Sequence, residues 1–214
     1  MTGVSGLQNH IRAGGGNRRS SMNRMSALII AAATASFVGF APASLHAQAS
    51  SAEKPEPAEK NPPGDIPDNQ VFIEYSSPLG FKIKVPEGWA RRESSDGVTF
   101  NDKYNTIALL RSERSDSLTL ANVKQQDVAE LEKTGKAVRV TAVKSVKLPA
   151  GSAVVVSYSS NSEPNPVTEK AIREENERYF FWQNGKLVTL TLSSPYGADN
   201  ADQWNLMSKS FRWQ

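Results

Sequence analysis

Residues 81–89 read Phe-Lys-Ile-Lys-Val-Pro-Glu-Gly-Trp. Phe81, Ile83 and Val85 alternate with Lys82 and Lys84. That period of two belongs to a strand with one face buried and one face wet. Pro86 has no amide to give to a ladder and ends the strand. Glu87-Gly88 forms a turn, and Trp89 is large enough to plug the end of a core. The rest of the domain reads as material that pairs with this strand or covers it.

Upstream, Val71–Tyr75 is a short strand, and Ser76–Gly80 holds the Pro and Gly of a tight turn, so the two strands form a hairpin. Downstream, the polar run 91–97 precedes strands at Val98–Phe100 and Thr106–Arg111. Over Leu118–Thr134 the period changes. Leu120, Val123, Val128 and Leu131 share one helical face, and Gly135 is a C′ stop. Strands resume over Ala137–Leu148 and over the β-branched run Ala153–Tyr158, which reads as central. Glu177–Gln183 and Lys186–Ser193 flank Asn184-Gly185, the signature of a type I′ hairpin. Asp199 or Asn200 caps a final helix with Trp204, Met207 and Phe211 facing inward. Strand neighbours joined by turns imply an antiparallel sheet with helices packed on it, an α+β domain.

Residues 1–49 read as a secretory signal. They carry four arginines and no acid, an apolar run at Ala27–Phe40, and the small-x-small site Ala47-Gln48-Ala49. Met22–Ala49 is a complete signal by itself, and Arg18-Arg19 permits twin-arginine export. The expected product is a protein of the periplasm or the extracellular space, without stable membrane insertion. Residues 50–70 hold five prolines among alternating Glu and Lys, which predicts a semi-extended spacer ahead of a domain at 71–214.

Charge and composition exclude several functions. The net charge of +3 belongs to the leader; without it 21 basic and 22 acidic residues remain, and no basis for nucleic-acid binding. The chain has no cysteine, and its two histidines, His10 and His46, precede the expected cleavage site. Ser-His and Cys-His nucleophile systems, ordinary zinc sites and imidazole acid–base catalysis are therefore absent from the mature sequence. The expectation is a monomer that is not an enzyme and carries no cofactor.

Gly80, Phe81, Ile83, Val85, Pro86 and Trp89 resemble the opening hairpin of PsbP-like domains, named for the extrinsic subunit of photosystem II. Val98-Thr99-Phe100-Asn101-Asp102, the run Phe181–Leu192 and the ending Ser210-Phe211-Arg212-Trp213 look alike too. The resemblance covers about Val71 to Trp213. It implies an antiparallel sheet between helices, an α/β/α sandwich, and a non-enzymatic accessory or binding role. The similarity is to exported bacterial relatives, and the expected role is contact with a partner protein or complex of the cell envelope. In a photosynthetic source it implies a photosystem II accessory or assembly factor in the thylakoid lumen.

The residues themselves offer few sites. Asp96, Asn101, Asp102 and Asn105 lie on adjacent turns and supply oxygens for a weak calcium, although Asp and Asn also favour turns for their own sake. Glu174, Glu175 and Glu177 read as a solvated charge run ahead of a strand, with a carboxylate hydrolase as the alternative. The loops 161–170 and 194–200 are rich in Asn and Pro, and Tyr196 is an aromatic on a stiff turn. If the hairpin ends lie side by side, Asn165, Thr168, Tyr196 and Asp199 form one partner-binding patch. The alternative function is binding of a small molecule or a weak cation.

Overall fold

The structure, a computed structural model, describes residues 53–214. The expected leader and residues 50–52 lie outside the described residues. Among the described residues no helix is long and apolar enough to cross a membrane.

The hairpin read from Phe81–Val85 is present. β1 (Phe72–Ser77) pairs antiparallel with β2 (Phe81–Pro86), and Gly80 takes the positive φ of +90° that closes the turn. A third strand missed by the sequence reading, β10 (Arg212–Trp213), adds to the other edge of β2. Two residues give too little pattern to recognise from sequence.

A second, larger sheet has seven antiparallel strands: β3 (Ala90–Glu93), β4 (Gly97–Asn101), β5 (Thr106–Glu113), β6 (Arg139–Leu148), β7 (Gly151–Asn161), β8 (Arg173–Gln183) and β9 (Lys186–Pro195). Their spatial order is β3-β4-β5-β9-β8-β7-β6, which makes β9 central and places β7, expected in the centre, next to the edge. β3 was read as loop because its four residues are all exposed and polar after Ala90. Asn184 and Gly185 both take positive φ in the β8–β9 turn, as a type I′ hairpin requires.

Each face of the large sheet has its own cover. A helical run over residues 120–134, with a π-helical stretch at Val123–Val128, packs Val123 and Leu131 against Val154, Val156, Tyr158 and Phe180. The small sheet and the C-terminal helix (Ala201–Ser210) cover the opposite face. The fold is α+β and antiparallel as expected, with the three-stranded sheet sharing a layer with one helix. Phe211 is the clamp of that layer. Its ring stacks on Phe181 with centroids 4.0 Å apart and on Phe81 at 5.8 Å.

Four local expectations need correction. Trp89 is only partly buried, at the rim of the core. The plug is Phe211, since the chain returns through β10 to the face that Trp89 was expected to fill. Gly135 ends the first helix in extended conformation (φ −83°), and a Cβ there would lie 2.4 Å from Val138 Cγ2 and 2.7 Å from the Leu131 carbonyl oxygen. Close approach, and not left-handed backbone, requires the glycine. Asn200 precedes the C-terminal helix but makes no side-chain cap.

The fourth correction concerns the spacer. Residues 53–70 have almost no regular structure, as expected, yet they lie on the domain. Ile66 is 3% exposed and belongs to the core. Asn200 Oδ1 accepts from the Ile66 amide at 2.7 Å, and Asn200 Nδ2 and Asn105 Nδ2 both donate to the Gly64 carbonyl. The folded unit therefore begins before Val71, and Asn200 spends its side chain on this arm instead of its own helix.

Candidate functional site

One face of β8 changes character along its length. Phe181 and Tyr179 are buried under the C-terminal helix and small sheet. Glu177, Glu175 and Arg173 follow on the same face by the two-residue period, past the end of that cover. There a polar furrow opens, built of three linked cavities.

The first cavity, of 420 Å³, runs between β8 and the start of the C-terminal helix and is lined by Glu175, Glu177, Tyr179, Asp199, Trp204 and Asn205. Glu175, Glu177 and Trp204 also line a middle cavity of 210 Å³, together with Thr141, Ser159 and Tyr196. Thr141, Ser159 and Tyr196 continue into the third, of 410 Å³, whose walls include Arg139, Arg173 and the arm residues Pro55, Glu56 and Ala58. The furrow is acidic at one end and basic at the other, with Tyr196 between them.

Local backbone chemistry aims these groups. Thr141 sits at a β-bulge where the β6–β7 register slips between Val140 and Ala142, and its hydroxyl donates to the Ser157 carbonyl at 3.0 Å. Arg173 is buried; its guanidinium donates to Ala137 O, Asn161 Oδ1 and Ser159 Oγ. Burial, and then Arg139 nearby, lowers its pKa, against the opposing effect of Tyr196. The Tyr196 amide bonds the Arg173 carbonyl at 2.9 Å, fixing the turn, while the residue stays 44% exposed.

The acidic run is not the solvated face expected of it. Glu174, Glu175 and Glu177 lie inside β8. Burial, followed by the charge of Glu163, pushes Glu174 up to about 7. Burial also raises Glu175, opposed by the Gly197 amide and Ser194 hydroxyl beside it. Glu177 accepts a hydrogen bond from Tyr179 Oη at 2.5 Å. Alternation hid this: charged residues at successive positions look wet in sequence, but the strand sends them to two faces, both partly covered.

Asn161 handles the arm. Its Oδ1 accepts from the Glu56 amide at 2.9 Å, and its Nδ2 donates to the Lys54 carbonyl at 2.8 Å. One side-chain amide thus pairs with the main chain of residues 54 and 56 as a neighbouring strand would. Pro55, which has no amide to satisfy, lies between them.

Of the four residues proposed as a partner patch, the furrow contains Tyr196 and Asp199. Asp199 is also held by its amide, which donates to Asp65 Oδ1 at 2.8 Å. Asn165 and Thr168 lie in the same β7–β8 connection but close a turn of their own, with Asn165 Oδ1 accepting from the Val167 and Thr168 amides. Among the described residues no hydrogen bond links them to Tyr196 or Asp199. At the suggested calcium turns, the Asp102 carboxylate is occupied by the Tyr104 and Asn105 amides and by Asn105 Nδ2, and Asp96 accepts from the Ser94 hydroxyl. The sequence reading missed Arg173, Asn161 and Trp204 as site residues. Its one usable signal was Ile66, a single large apolar side chain in an otherwise polar, proline-rich arm.

No protein-family model matches the chain, and no curated protein matches it. Solved structures do. The solution structure of cyanobacterial PsbP (CyanoP) from Synechocystis sp. PCC 6803 aligns with a TM-score of 0.50 at 15% identity, covering 71% of this chain and 98% of that one. LpqN, involved in cell envelope biogenesis of Mycobacterium tuberculosis, aligns at 0.43 with 18% identity over 67% of this chain and 89% of its own. A Pseudomonas aeruginosa protein of unknown function, PA94, aligns at 0.42 with 11% identity over 63% and 91%. The likeness to PsbP is one of fold, and the resemblance read from the Gly80–Trp89 hairpin holds at that level.

Proposed function

We propose that this protein is an exported, non-enzymatic docking module of the cell envelope, and that it holds an extended segment of a partner protein in the furrow beside Tyr196. One observation carries the reading: Asn161 already binds main chain beside this furrow, pairing with residues 54 and 56 of the arm, of which Glu56 lines the third cavity. An exposed aromatic on a stiff turn supplies the anchor that such docking uses. The charged ends set direction, with Glu175 and Glu177 facing a basic or amide-rich part of the segment and Arg139 and Arg173 an acidic part. The leader read over residues 1–49 and the accessory role implied by the PsbP-like resemblance favour the same assignment. The absence of His and Cys from residues 50–214 favours binding over catalysis.

Site-specific photocrosslinking in the producing cells tests it. A photoreactive phenylalanine analogue at Tyr196 is expected to give a discrete adduct with one envelope protein. The same probe at Val167, 87% exposed on the neighbouring loop, is expected to give none. Adding the peptide Lys-Pro-Glu-Pro-Ala, the sequence of residues 54–58, should reduce the adduct in envelope extracts. No adduct at Tyr196, or equal adducts at both positions, overturns the reading.

A further inference from the structure

The outer face of the small sheet carries a feature unrelated to the furrow. Lys82 and Lys84 of β2 line a cavity of 440 Å³ with Arg212 of β10 and Lys209 from the last turn of the C-terminal helix. Glu74 is the one acid in its lining, and it pairs with Lys82 at 3.1 Å. Among the described residues Lys84, Lys209 and Arg212 make no ion pair, so the cavity holds an excess of three positive charges. Arg212 faces Lys82 directly in the β2–β10 register, an arrangement that costs stability when nothing neutralises it. Arg212 Nη1 donates to the Lys209 and Phe211 carbonyls, which fixes the guanidinium at the cavity wall. The rest of the molecule does not share this charge, since residues 50–214 are net −1. Leu206, 39% exposed, sits among the cations as an apolar contact.

We propose that this face docks on an anionic membrane surface, with the phosphates of acidic phospholipid headgroups seated between Lys82, Lys84, Lys209 and Arg212, and Leu206 against the glycerol region. The complementarity is of charge and of position: a cluster on one shallow face meets a plane of phosphates, and each basic residue near such a surface contributes about 1 kcal/mol of attraction. A protein held there leaves the furrow, which shares only the C-terminal helix with this face, to neighbours in the envelope.

Vesicle co-sedimentation of the chain lacking residues 1–49 decides it, because the folded unit described above lies within what remains. Binding is expected to vesicles of phosphatidylglycerol mixed with phosphatidylcholine, to weaken as salt rises, and to be absent with phosphatidylcholine alone. The double variant Lys84→Gln, Lys209→Gln should weaken partitioning on the order of 25-fold, about fivefold per cation, with an unchanged melting temperature. Equal binding to neutral vesicles, no binding to acidic ones, or a double variant that binds like the parent would overturn the proposal. So would displacement from vesicles by inorganic phosphate at constant ionic strength, which would assign the cavity to free phosphate.

Discussion

The two halves of one face of β8 make opposite solutions to the same geometry. At one half, Phe181 and Tyr179 are packed beneath Phe211, Trp204 and the small sheet in a largely apolar layer, with Tyr179 and Trp204 at its boundary with the furrow. At the other, Glu177, Glu175 and Arg173 line a furrow that solvent reaches. The strand and its pairing continue without a register shift from one to the other. The difference lies in the cover: the C-terminal helix ends the sealed half, and beyond it side chains must be polar and mutually bonded to remain uncovered. Stability and recognition are thereby assigned to separate lengths of one strand.

This contrast predicts a ranking of mutational effects. Phe211→Ala removes the ring that joins Phe81 to Phe181 and should cost about 3–5 kcal/mol, read from urea unfolding. A loss below about 1 kcal/mol would mean that the sealed half has another clamp. Ile66→Ala should cost about 2 kcal/mol, the low end for a buried aliphatic, because the arm contributes little else to the core. It should also expose residues 53–70 to limited proteolysis at temperatures where the sheet remains intact; an arm equally protected in the variant would show that Asn161 and Asn200 suffice to hold it.

The opposite face of the same acidic run, where Glu174 points away from the furrow, should show itself through pH. Glu174 titrates near 7 in the folded state against an ordinary value of 4.5. The unfolded chain therefore ionises first as pH rises, and stability declines between about 4.5 and 7. Melts at both ends of that window should show a loss on the order of 1–2 kcal/mol for the parent and a smaller one for Glu174→Gln. A parent curve that rises with pH across the window would contradict the burial of Glu174. The smallest effect belongs to Tyr196→Ala, which should change stability by less than about 0.5 kcal/mol while weakening capture of the partner from envelope extracts. A large loss of stability would move Tyr196 from the recognition half to the structural one.

The sealed half was largely legible in the sequence. Phe81, Ile83 and Val85 announce their face by alternation, Asn184-Gly185 announces its turn, and Trp204 and Met207 follow helical spacing. These signals are local and repeat within a few residues. The furrow was not legible, because it depends on pairings distant in sequence. Asn161 meets residues 54 and 56 more than a hundred positions away, and Asn200 meets Ile66 across a similar gap. An asparagine that bonds a distant main chain is indistinguishable by type from one that closes its own turn, as Asn165 does. Tyr196 could be found because Pro195 and Gly197 mark its turn locally; Arg173 carries no such mark.

The closure of the small sheet also sets an order of events in folding. β2 is flanked on one side by β1, from which only a short turn separates it, and on the other by β10. The Lys84 amide that bonds Ser210 Oγ lies 126 residues before its partner. During synthesis the hairpin can form early, but Phe81, Ile83 and Val85 must wait, apolar and unshielded, until Phe211 arrives to cover them. Contacts that span such a distance are entropically late and slow to form. β2 therefore completes its pairing and its cover only once the C-terminal residues of the chain are in place.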